Sequence, residues 1–195
     1  MRLLSVAAIS IMSLVLVGAA SAGIPSASTS TVVAVPSGTP ACNPGTAVIC
    51  PASDMDIIDV TVTVRNIYGD VLPGKTVNCY ANIVSGGPFC FCPGEDPQTG
   101  VTDVNGEVVF YYTDFGGCGE LEWYADSEAV VLGPSGTIYI ASPDNNGDCA
   151  VNLVDFGNFA LVYNGTDPCS DYNCDGGVTL IDFGIFAVHY THACP

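Results

Sequence analysis

Positive charge is almost absent from this chain. Lys and Arg number 3 in 195 residues and His numbers 2, against 20 Asp and Glu, which gives a formal net charge of −17 at pH 7. A surface with this balance repels phosphate backbones and anionic lipids, so nucleic acid and anionic membranes are poor partners. No phosphate-binding loop or nucleotide-binding fingerprint occurs either. The sequence therefore predicts a protein that does not bind nucleic acid.

Histidine is scarce enough to argue against catalysis and against zinc. His189 and His192 stand at the C-terminal end, beyond any Ser or Cys with which they could form a nucleophile–base pair. Cys90 and Cys92 lack the Cys-x-x-Cys spacing that is typical of zinc sites. Alternating acids on predicted strands are typical of a solvated face rather than of a glycosidase pair. We therefore expect a protein that is not an enzyme.

Long apolar runs are absent except at the N-terminus. Arg2 precedes an apolar stretch over residues 3–17, and Ala20-Ser21-Ala22 follows it. This order is typical of a signal peptide that is cleaved near Gly23. A transmembrane helix needs about 20 apolar residues, and no basic cluster follows this stretch. The sequence predicts a signal peptide over residues 1–22 and a secreted or cell-surface mature chain without a transmembrane segment.

The ten cysteines all follow the signal peptide. An even number of cysteines in an exported chain is typical of disulfide bonding. They fall into three groups of even size, so we expect each group to close on itself, with the pairing inside a group of four left open. The groups are Cys42 and Cys50; Cys79, Cys90, Cys92 and Cys118; and Cys149, Cys169, Cys174 and Cys194.

An internal repeat dominates the C-terminal part. Residues 144–163 and 171–190 are identical at 11 of 20 positions, and each copy begins with a 12-residue loop that carries Asp-Asn-Asp at positions 1, 3 and 5. Ca²⁺ takes 6–8 oxygen ligands, and such a loop supplies them from positions 1, 3, 5, 7, 9 and 12. The sequence therefore predicts two Ca²⁺ ions. The predicted ligands are Asp144, Asn146, Asp148, Ala150, Asn152 and Asp155 in the first copy, and Asp171, Asn173, Asp175, Gly177, Thr179 and Asp182 in the second.

The repeat resembles the dockerin module of bacterial cellulosomes. The likeness covers residues 143–195 and rests on Asp at position 12, a small apolar residue at position 8 (Val151 and Val178) and one helix after each loop. It implies two calcium ions, two antiparallel helices and a cohesin-type partner. The position-8 residues are expected to pair the two loops back to back. The first copy departs from the pattern, because position 6 is Cys149 rather than the usual Gly.

The same resemblance predicts a partner surface and a disulfide pattern. Dockerins meet their partner through residues just before position 12 and through one helix face, and near-identity of the copies would allow two binding orientations. The corresponding residues here are Leu153, Val154, Leu161, Leu180, Ile181, Ile185 and Val188.

Six aromatic residues are assigned to the core between the helices: Phe156, Phe159, Tyr163, Phe183, Phe186 and Tyr190. The antiparallel arrangement favours Cys149–Cys194 and Cys169–Cys174 bridges. The alternative for the apolar stripe that these seven partner-surface residues form is burial, in part against the preceding domain.

Residues 54–142 are predicted to form a β-sandwich. Short segments rich in β-branched residues alternate with Gly/Pro/Asn turns, and Asn105-Gly106 is a strong hairpin signal. Strands are predicted over residues 60–64, 76–84, 107–113, 120–125, 129–132 and 137–141. The segments 60–66, 69–77 and 102–108 resemble bacterial Ig-like domains of the invasin type, which serve as spacers or adhesive modules. Residues 23–53 are interpreted as a Ser/Thr/Pro-rich leader with a Cys-bracketed loop, or alternatively as contributing an edge strand over residues 31–35.

The predicted fold class is therefore mostly β with a small α module, in an Ig-like sandwich followed by a dockerin-like pair of loop–helix units. The predicted function is the docking of the Ig-like domain onto a cohesin-type partner or surface scaffold. The alternative is a carbohydrate-binding or adhesive sandwich with the calcium module as a stabilising tail. Six aromatic residues are candidates for stacking on sugars or for packing in the core: Phe89, Phe91, Tyr111, Tyr112, Trp123 and Tyr124.

Overall fold

The structure is a computed structural model that describes residues 23–37, 42, 45–53 and 55–195. The predicted signal peptide lies outside the described residues. The described chain is mostly β with two short helices, which confirms the coarse fold class. The elements are β1 (Thr31–Ser37), β2 (Thr46–Val48), β3 (Ile57–Thr63), β4 (Thr76–Phe91), β5 (Gln98–Val101), β6 (Glu107–Tyr112), β7 (Phe115–Ser127), β8 (Val130–Leu132), β9 (Ile138–Ala141), α1 (Leu153–Val162) and α2 (Leu180–His189).

Two sheets enclose one apolar core. The smaller has the order β1-β3-β6, and the larger has the order β2-β9-β7-β4-β5 with β8 paired to β7. The alternating pattern explains the core, because Val60 and Val62 of β3 and Leu121 and Trp123 of β7 are fully buried in the same cluster. Glu120 and Glu122 face the other side of β7, as their spacing predicts. Every strand predicted from the sequence corresponds to a strand of the structure.

The predicted leader belongs to the fold. β1 pairs antiparallel with β3 from Thr31↔Thr63 to Ser37↔Ile57, which confirms the alternative of an added strand. β2 then pairs in parallel with β9, and no sequence pattern had predicted it. Backbone hydrogen bonding to existing strands orders these short segments, which lie within a stretch whose Ser/Thr/Pro-rich composition alone favours a flexible chain.

β4 is longer than its sequence predicts. The predicted end at Val84 is wrong, because the strand continues past Gly86 and Gly87 to Phe91 and pairs with β7 through two register shifts. Glycine permits this close pairing: Gly119 of β7 has φ of 142°, and a Cβ there would overlap the Ser85 carbonyl group. The bulges accommodate residues that would end a regular strand.

The Asn105-Gly106 turn is present, but it does not join a hairpin. Asp103 accepts hydrogen bonds from the backbone N–H groups of Asn105 (2.8 Å) and Glu107 (2.9 Å), which closes the turn locally. The strands on either side, β5 and β6, pair with β4 and β3 and therefore lie in different sheets. A turn signal specifies the local chain reversal and does not specify which sheet each strand joins.

The disulfides contradict the predicted grouping. The four bridges are Cys42–Cys174, Cys90–Cys149, Cys92–Cys194 and Cys118–Cys169. Cys50 and Cys79 are free and buried, so their assignment to disulfides is wrong. The pairs Cys149–Cys194 and Cys169–Cys174 are wrong as well, since each bridge joins residues from different groups. The reason is that residues 149–194 lie against the larger sheet, so that cysteines far apart in the chain become neighbours.

The described chain carries four cross-links between distant segments, and three of them attach the repeat to β4, β7 or the residue that follows β4. Such disulfides are typical of proteins that are exported to an oxidising environment. Across the described residues, no helix is both long enough and apolar enough to cross a membrane.

Candidate functional site

The first repeat loop is organised by its own carboxylates. Asp144 accepts hydrogen bonds from the backbone N–H groups of Asp148 (3.1 Å) and Cys149 (2.9 Å). Asp155 accepts from those of Asn146 (3.3 Å) and Asn152 (2.9 Å). Asp144 and Asp155 are fully buried. The acidic side chains therefore face into the loop, toward the position that a cation would occupy.

The second loop repeats this arrangement 27 residues later. Asp171 accepts from the N–H groups of Asp175 (3.1 Å) and Gly176 (2.8 Å). Asp182 accepts from those of Asn173 (3.1 Å) and Thr179 (2.8 Å). Each hydrogen bond has its counterpart in the first loop. Positions 1 and 12 thus have the same structural role in both copies.

The loops differ in how closely their carboxylates approach. Asp144, Asp148 and Asp155 each offer an oxygen within 4.8 Å of the others. In the described part of the chain, the equivalent trio of the second loop is not gathered within that distance. Oxygen ligands at 2.3–2.6 Å from Ca²⁺ are mutually separated by distances of this order, so the first trio fits the ion's donor requirements.

Burial raises the pKa of Asp144 to about 6, and the neighbouring charges of Asp155 and Asp148 act in the same direction. The pKa of Asp155 is raised by burial as well, with Asp148 adding to the effect. The first loop is therefore an unfavourable place for three uncompensated negative charges. A divalent cation among these oxygens would compensate the repulsion.

Cys149 adopts the backbone conformation that position 6 requires. Its φ is 72°, and Gly176 at the same position of the second loop has φ of 94°. This left-handed region is accessible to glycine and costs other residues about 1–3 kcal/mol. Cys149 is bonded to Cys90 of β4, so the disulfide accounts for a Cys at this position.

The position-8 residues are buried in the same apolar cluster, but their backbones pair with other segments rather than with each other. Val151 exchanges backbone hydrogen bonds with Thr191 and His192, which follow α2. Val178 exchanges the equivalent bonds with residues 164 and 165, which follow α1. Each loop is thus joined to the segment after the other copy's helix. The helix ends of both copies supply free backbone groups for this pairing, which links the copies reciprocally.

Positions 9 and 12 also start the helices. Asn152 caps α1 by accepting from the N–H of Val154 (2.8 Å), and Thr179 caps α2 by accepting from that of Ile181 (3.2 Å). Asp155 and Asp182 complete a capping box in each case. The side-chain oxygen at position 9 is therefore engaged with the helix, and a role at the ion would be indirect.

The predicted partner-binding residues are largely exposed. Six of the seven have exposed fractions from 56% (Val154) to 86% (Leu161). Ile185 alone is half-buried, against a second core cluster, separate from that of the sandwich, which is formed by Val48, Cys50, Ala141, Val151, Phe159, Tyr172, Val178 and Phe186. Burial of the whole stripe, the alternative raised by the sequence, is therefore wrong. Large exposed apolar side chains that cluster on one face mark an interaction surface in many proteins.

The helix aromatics divide into core and surface residues. Phe159 and Phe186 are buried, as predicted, and their rings stack at 5.7 Å between centroids. The other four residues, which were also assigned to the core, are between 36% and 42% exposed. Two short helices leave one side of their interface open, so only the inner aromatic of each copy is enclosed.

These exposed aromatics border two hollows that are equivalent by the repeat. One, of about 260 Å³, is lined by Leu153, Phe156, Phe183, Phe186, Ala187 and Tyr190. The other, of about 270 Å³, is lined by Leu180, Phe183, Phe156, Phe159, Ala160 and Tyr163. Each residue of one hollow corresponds to a residue of the other through the 27-residue shift. The open side of the helix pair therefore has two-fold character.

Most of the candidate sugar-stacking residues pack in the sandwich. Tyr112 and Trp123 are fully buried, and Phe89 and Phe91 pack against the same core. Tyr111 is exposed, and Tyr124 stacks on Tyr80 with 6.1 Å between ring centroids. Core packing thus accounts for four of the six aromatics.

One cluster was missed from the sequence. Cys50, His189 and His192 offer a sulfur and ring nitrogens that lie within 4.8 Å of one another. The spacing of the two His residues at i and i+3 was the only local signal, and Cys50 is more than a hundred residues away.

Comparisons of this chain with protein-family models, with curated proteins and with solved structures found no match.

Proposed function

We propose that this chain is an exported, non-catalytic protein that binds two Ca²⁺ ions and docks onto a protein partner through the open face of its helix pair. In this proposal, residues 143–195 act as a dockerin-like module, residues 54–142 form an Ig-like domain, and the partner is a cohesin-type or other surface protein. The observation that carries the proposal is the pair of equivalent apolar hollows beside two acidic loops that share one hydrogen-bond pattern.

Calcium is supported by the donor set. Both loops offer carboxylate, amide and carbonyl oxygens and no nitrogen or sulfur in the ligand positions, which suits a hard cation. Burial, with the charges of Asp155 and Asp148, raises the pKa of Asp144, and a cation among these oxygens would favour its charged form. The ion would also stabilise the position at which each helix starts, because Asp155 and Asp182 serve the loop and the helix cap together.

Calorimetric titration with Ca²⁺ tests the ligand assignment. Asp148→Ala and Asp175→Ala each remove one carboxylate, so each variant should lose high-affinity binding at its own loop and retain it at the other. Asp103→Ala is the matched control, because Asp103 is an exposed acid in a turn with similar hydrogen bonds outside the repeat. Equal titration curves for all three variants and the unchanged chain would contradict the assignment.

The docking face is supported by exposure and by symmetry. Val154 and Ile181 occupy equivalent positions in the first turn of their helices and are 56% and 60% exposed. A partner with an apolar patch could engage either copy, since the hollows beside them have the same lining. A protein partner fits this face better than a polyanion does, because the face is apolar and the chain carries a strong negative charge.

Affinity capture from the source organism's secreted proteins, with and without chelator, tests docking. Val154→Asp and Ile181→Asp should each leave capture nearly intact, whereas the double variant should abolish it. Val131→Asp is the matched control, because Val131 is 53% exposed and lies in β8, outside the helix pair. Loss of capture in one single variant would contradict the two orientations, and calcium-independent capture would contradict the role of the ion.

Self-association would be the other use of an exposed apolar face. Sedimentation of the unchanged chain and of the double variant, in calcium, distinguishes an external partner protein from a second copy of this chain as the occupant of this face. The proposal predicts a monomer in both cases. A dimer that the double variant dissociates would replace the external partner with a second copy of this chain.

Carbohydrate binding by the sandwich remains a second candidate, supported by exposed Tyr111 and by the Tyr80–Tyr124 stack on the larger sheet. Binding on a glycan array that is lost on changing Tyr124 to Ala would favour it over docking. Absence of binding, together with calcium-dependent capture of a protein, would favour the docking proposal.

A further inference from the structure

Three side chains with metal-binding atoms meet where the end of the repeat contacts the segment after β2. Cys50 lies two residues beyond β2, His189 is the last residue of α2, and His192 follows in the segment that pairs with Val151. The Nδ1 atoms of His189 and His192 are 3.4 Å apart. The Sγ atom of Cys50 lies 4.0 Å from Nδ1 of His192.

These separations match those of ligands around one tetrahedral ion. With Zn–N of about 2.0–2.1 Å and Zn–S of about 2.3 Å, tetrahedral geometry separates two nitrogens by about 3.3–3.4 Å, and a nitrogen from a sulfur by about 3.6 Å. The nitrogen pair has this spacing already, and the sulfur is within about 0.4 Å of it.

We propose that Cys50, His189 and His192 form a binding site for a borderline-soft divalent cation such as Zn²⁺, separate from the two calcium loops. The three protein ligands leave a fourth position for water or another small ligand. Binding replaces the thiol proton, which passes to solvent, with a sulfur–metal bond, so one proton is released from Cys50 for each ion bound. No oxidation or reduction is involved.

The backbone holds the ligands in place. His192 donates its N–H to the carbonyl of His189 (3.0 Å), and its own carbonyl accepts from Val151 (2.7 Å). Cys50 follows Ile49, whose N–H donates to Ala141 of β9 (3.0 Å). The Ser53 hydroxyl contacts Nδ1 of His189 at 3.1 Å, at the nitrogen where the ion would bind. Such pre-positioning reduces the conformational entropy that binding a metal otherwise costs.

The chemistry of the surroundings favours a cation. Asp144, Asp114 and Asp155 lie near enough to Cys50 for their negative charges to act on its thiol, and the same charges attract a cation. Free, buried thiols are unusual in an oxidising compartment, and a bound metal would protect Cys50 from oxidation.

Titration of the full, disulfide-intact chain with Co²⁺ as a spectroscopic substitute for Zn²⁺ tests the site. Saturating Ca²⁺ is present throughout to occupy the acidic loops. We expect one Co²⁺ per chain with the intense visible bands of tetrahedral coordination and a thiolate-to-metal charge-transfer band, all displaced by one equivalent of Zn²⁺. Octahedral bands without the charge-transfer band would overturn the proposal.

Variants assign the ligands. Cys50→Ser should abolish the charge-transfer band, and His192→Ala should weaken Zn²⁺ binding by at least about tenfold. Cys79→Ser is the matched control, because Cys79 is the other buried free thiol and is not in the cluster. Asp103→Ala, which removes an exposed acid outside the repeat, should leave the Co²⁺ spectrum unchanged. Unaltered spectra in both Cys50→Ser and His192→Ala would overturn the assignment, and peptide mapping that finds Cys50 in a disulfide would do the same.

Discussion

At Asp144, burial and neighbouring charge oppose ionisation, and a cation among the loop oxygens would relieve this conflict. The carboxyl group is fully buried, and its pKa is raised to about 6 from an ordinary 3.8. Because the folded-state pKa lies above the unfolded value, the associated stability is present below about pH 4 and is lost as pH rises through about 6. A calcium-free chain therefore carries a destabilising charge at neutral pH.

Asp144→Asn should thus raise the melting temperature of the calcium-free chain at about pH 7, and the gain should vanish near pH 4. The same change should remove the calcium response of the first loop. Asp103→Asn is the contrasting variant, because hydrogen bonds from the backbone N–H of Glu107 lower the pKa of Asp103. That substitution should give no gain in melting temperature. A lower melting temperature for calcium-free Asp144→Asn at neutral pH would contradict the account of this carboxylate.

At the scale of elements, the first loop depends on the sheet beneath it. Gly117 of β7 donates its N–H to the backbone carbonyl of Asp144 (2.7 Å). The backbone N–H of Asp144 donates to the hydroxyl of Ser142 (3.1 Å), which lies just after β9. Gly116 is the closest point of approach, since a Cβ there would overlap the Asp144 carboxylate. The strand thereby positions a ligand that the repeat sequence alone assigns to a local loop.

Gly116→Ala should displace Asp144, destabilise the chain by about 1–3 kcal/mol, and weaken calcium binding at the first loop while the second loop is unaffected. Denaturant unfolding and calorimetry measure the two effects. Gly136→Ala is the matched control, because no atom lies within 4 Å of the Cβ it would add. Unchanged calcium binding in Gly116→Ala would argue that the loop does not rely on β7.

Local patterns predicted the elements better than the contacts between them. Both helices and the alternation of β3 and β7 follow from nearby residues, so the sequence is sufficient to identify them. Gly86 and Gly87 belong to a strand because they pair with β7. Residues 31–37 form a strand because they pair with the free edge of β3. The β-propensity of a segment does not reveal which distant strand it pairs with, since backbone hydrogen bonds to that strand override the propensity.

At the scale of the whole molecule, the repeat and the sandwich are covalently one unit. Cys149, Cys169 and Cys194 are bonded to β4, β7 and the residue after β4, and Cys174 is bonded to Cys42. All four bridges of the repeat would be lost in an isolated fragment of residues 143–195. Experiments on calcium therefore require the full chain with its disulfides intact.

The same architecture explains why the disulfides were mispredicted and the Cys50 cluster missed. The second core cluster combines Val48 and Ala141 with Phe159 and Phe186, so residues from both ends of the chain pack together. Grouping cysteines by sequence assumes that neighbours along the chain are neighbours in space. That assumption fails where one segment folds back onto a sheet built from all the others.

We propose that calcium occupies the two loops of the repeat. Equilibrium dialysis of the full, oxidised chain at neutral pH, combined with thermal unfolding with and without Ca²⁺, is the decisive experiment. We expect two bound ions per chain and a higher melting temperature in Ca²⁺, since each site stabilises the fold by about 2.7 kcal/mol when the ion exceeds its dissociation constant a hundredfold. No bound calcium, or the same melting temperature in Ca²⁺ and in chelator, would contradict it.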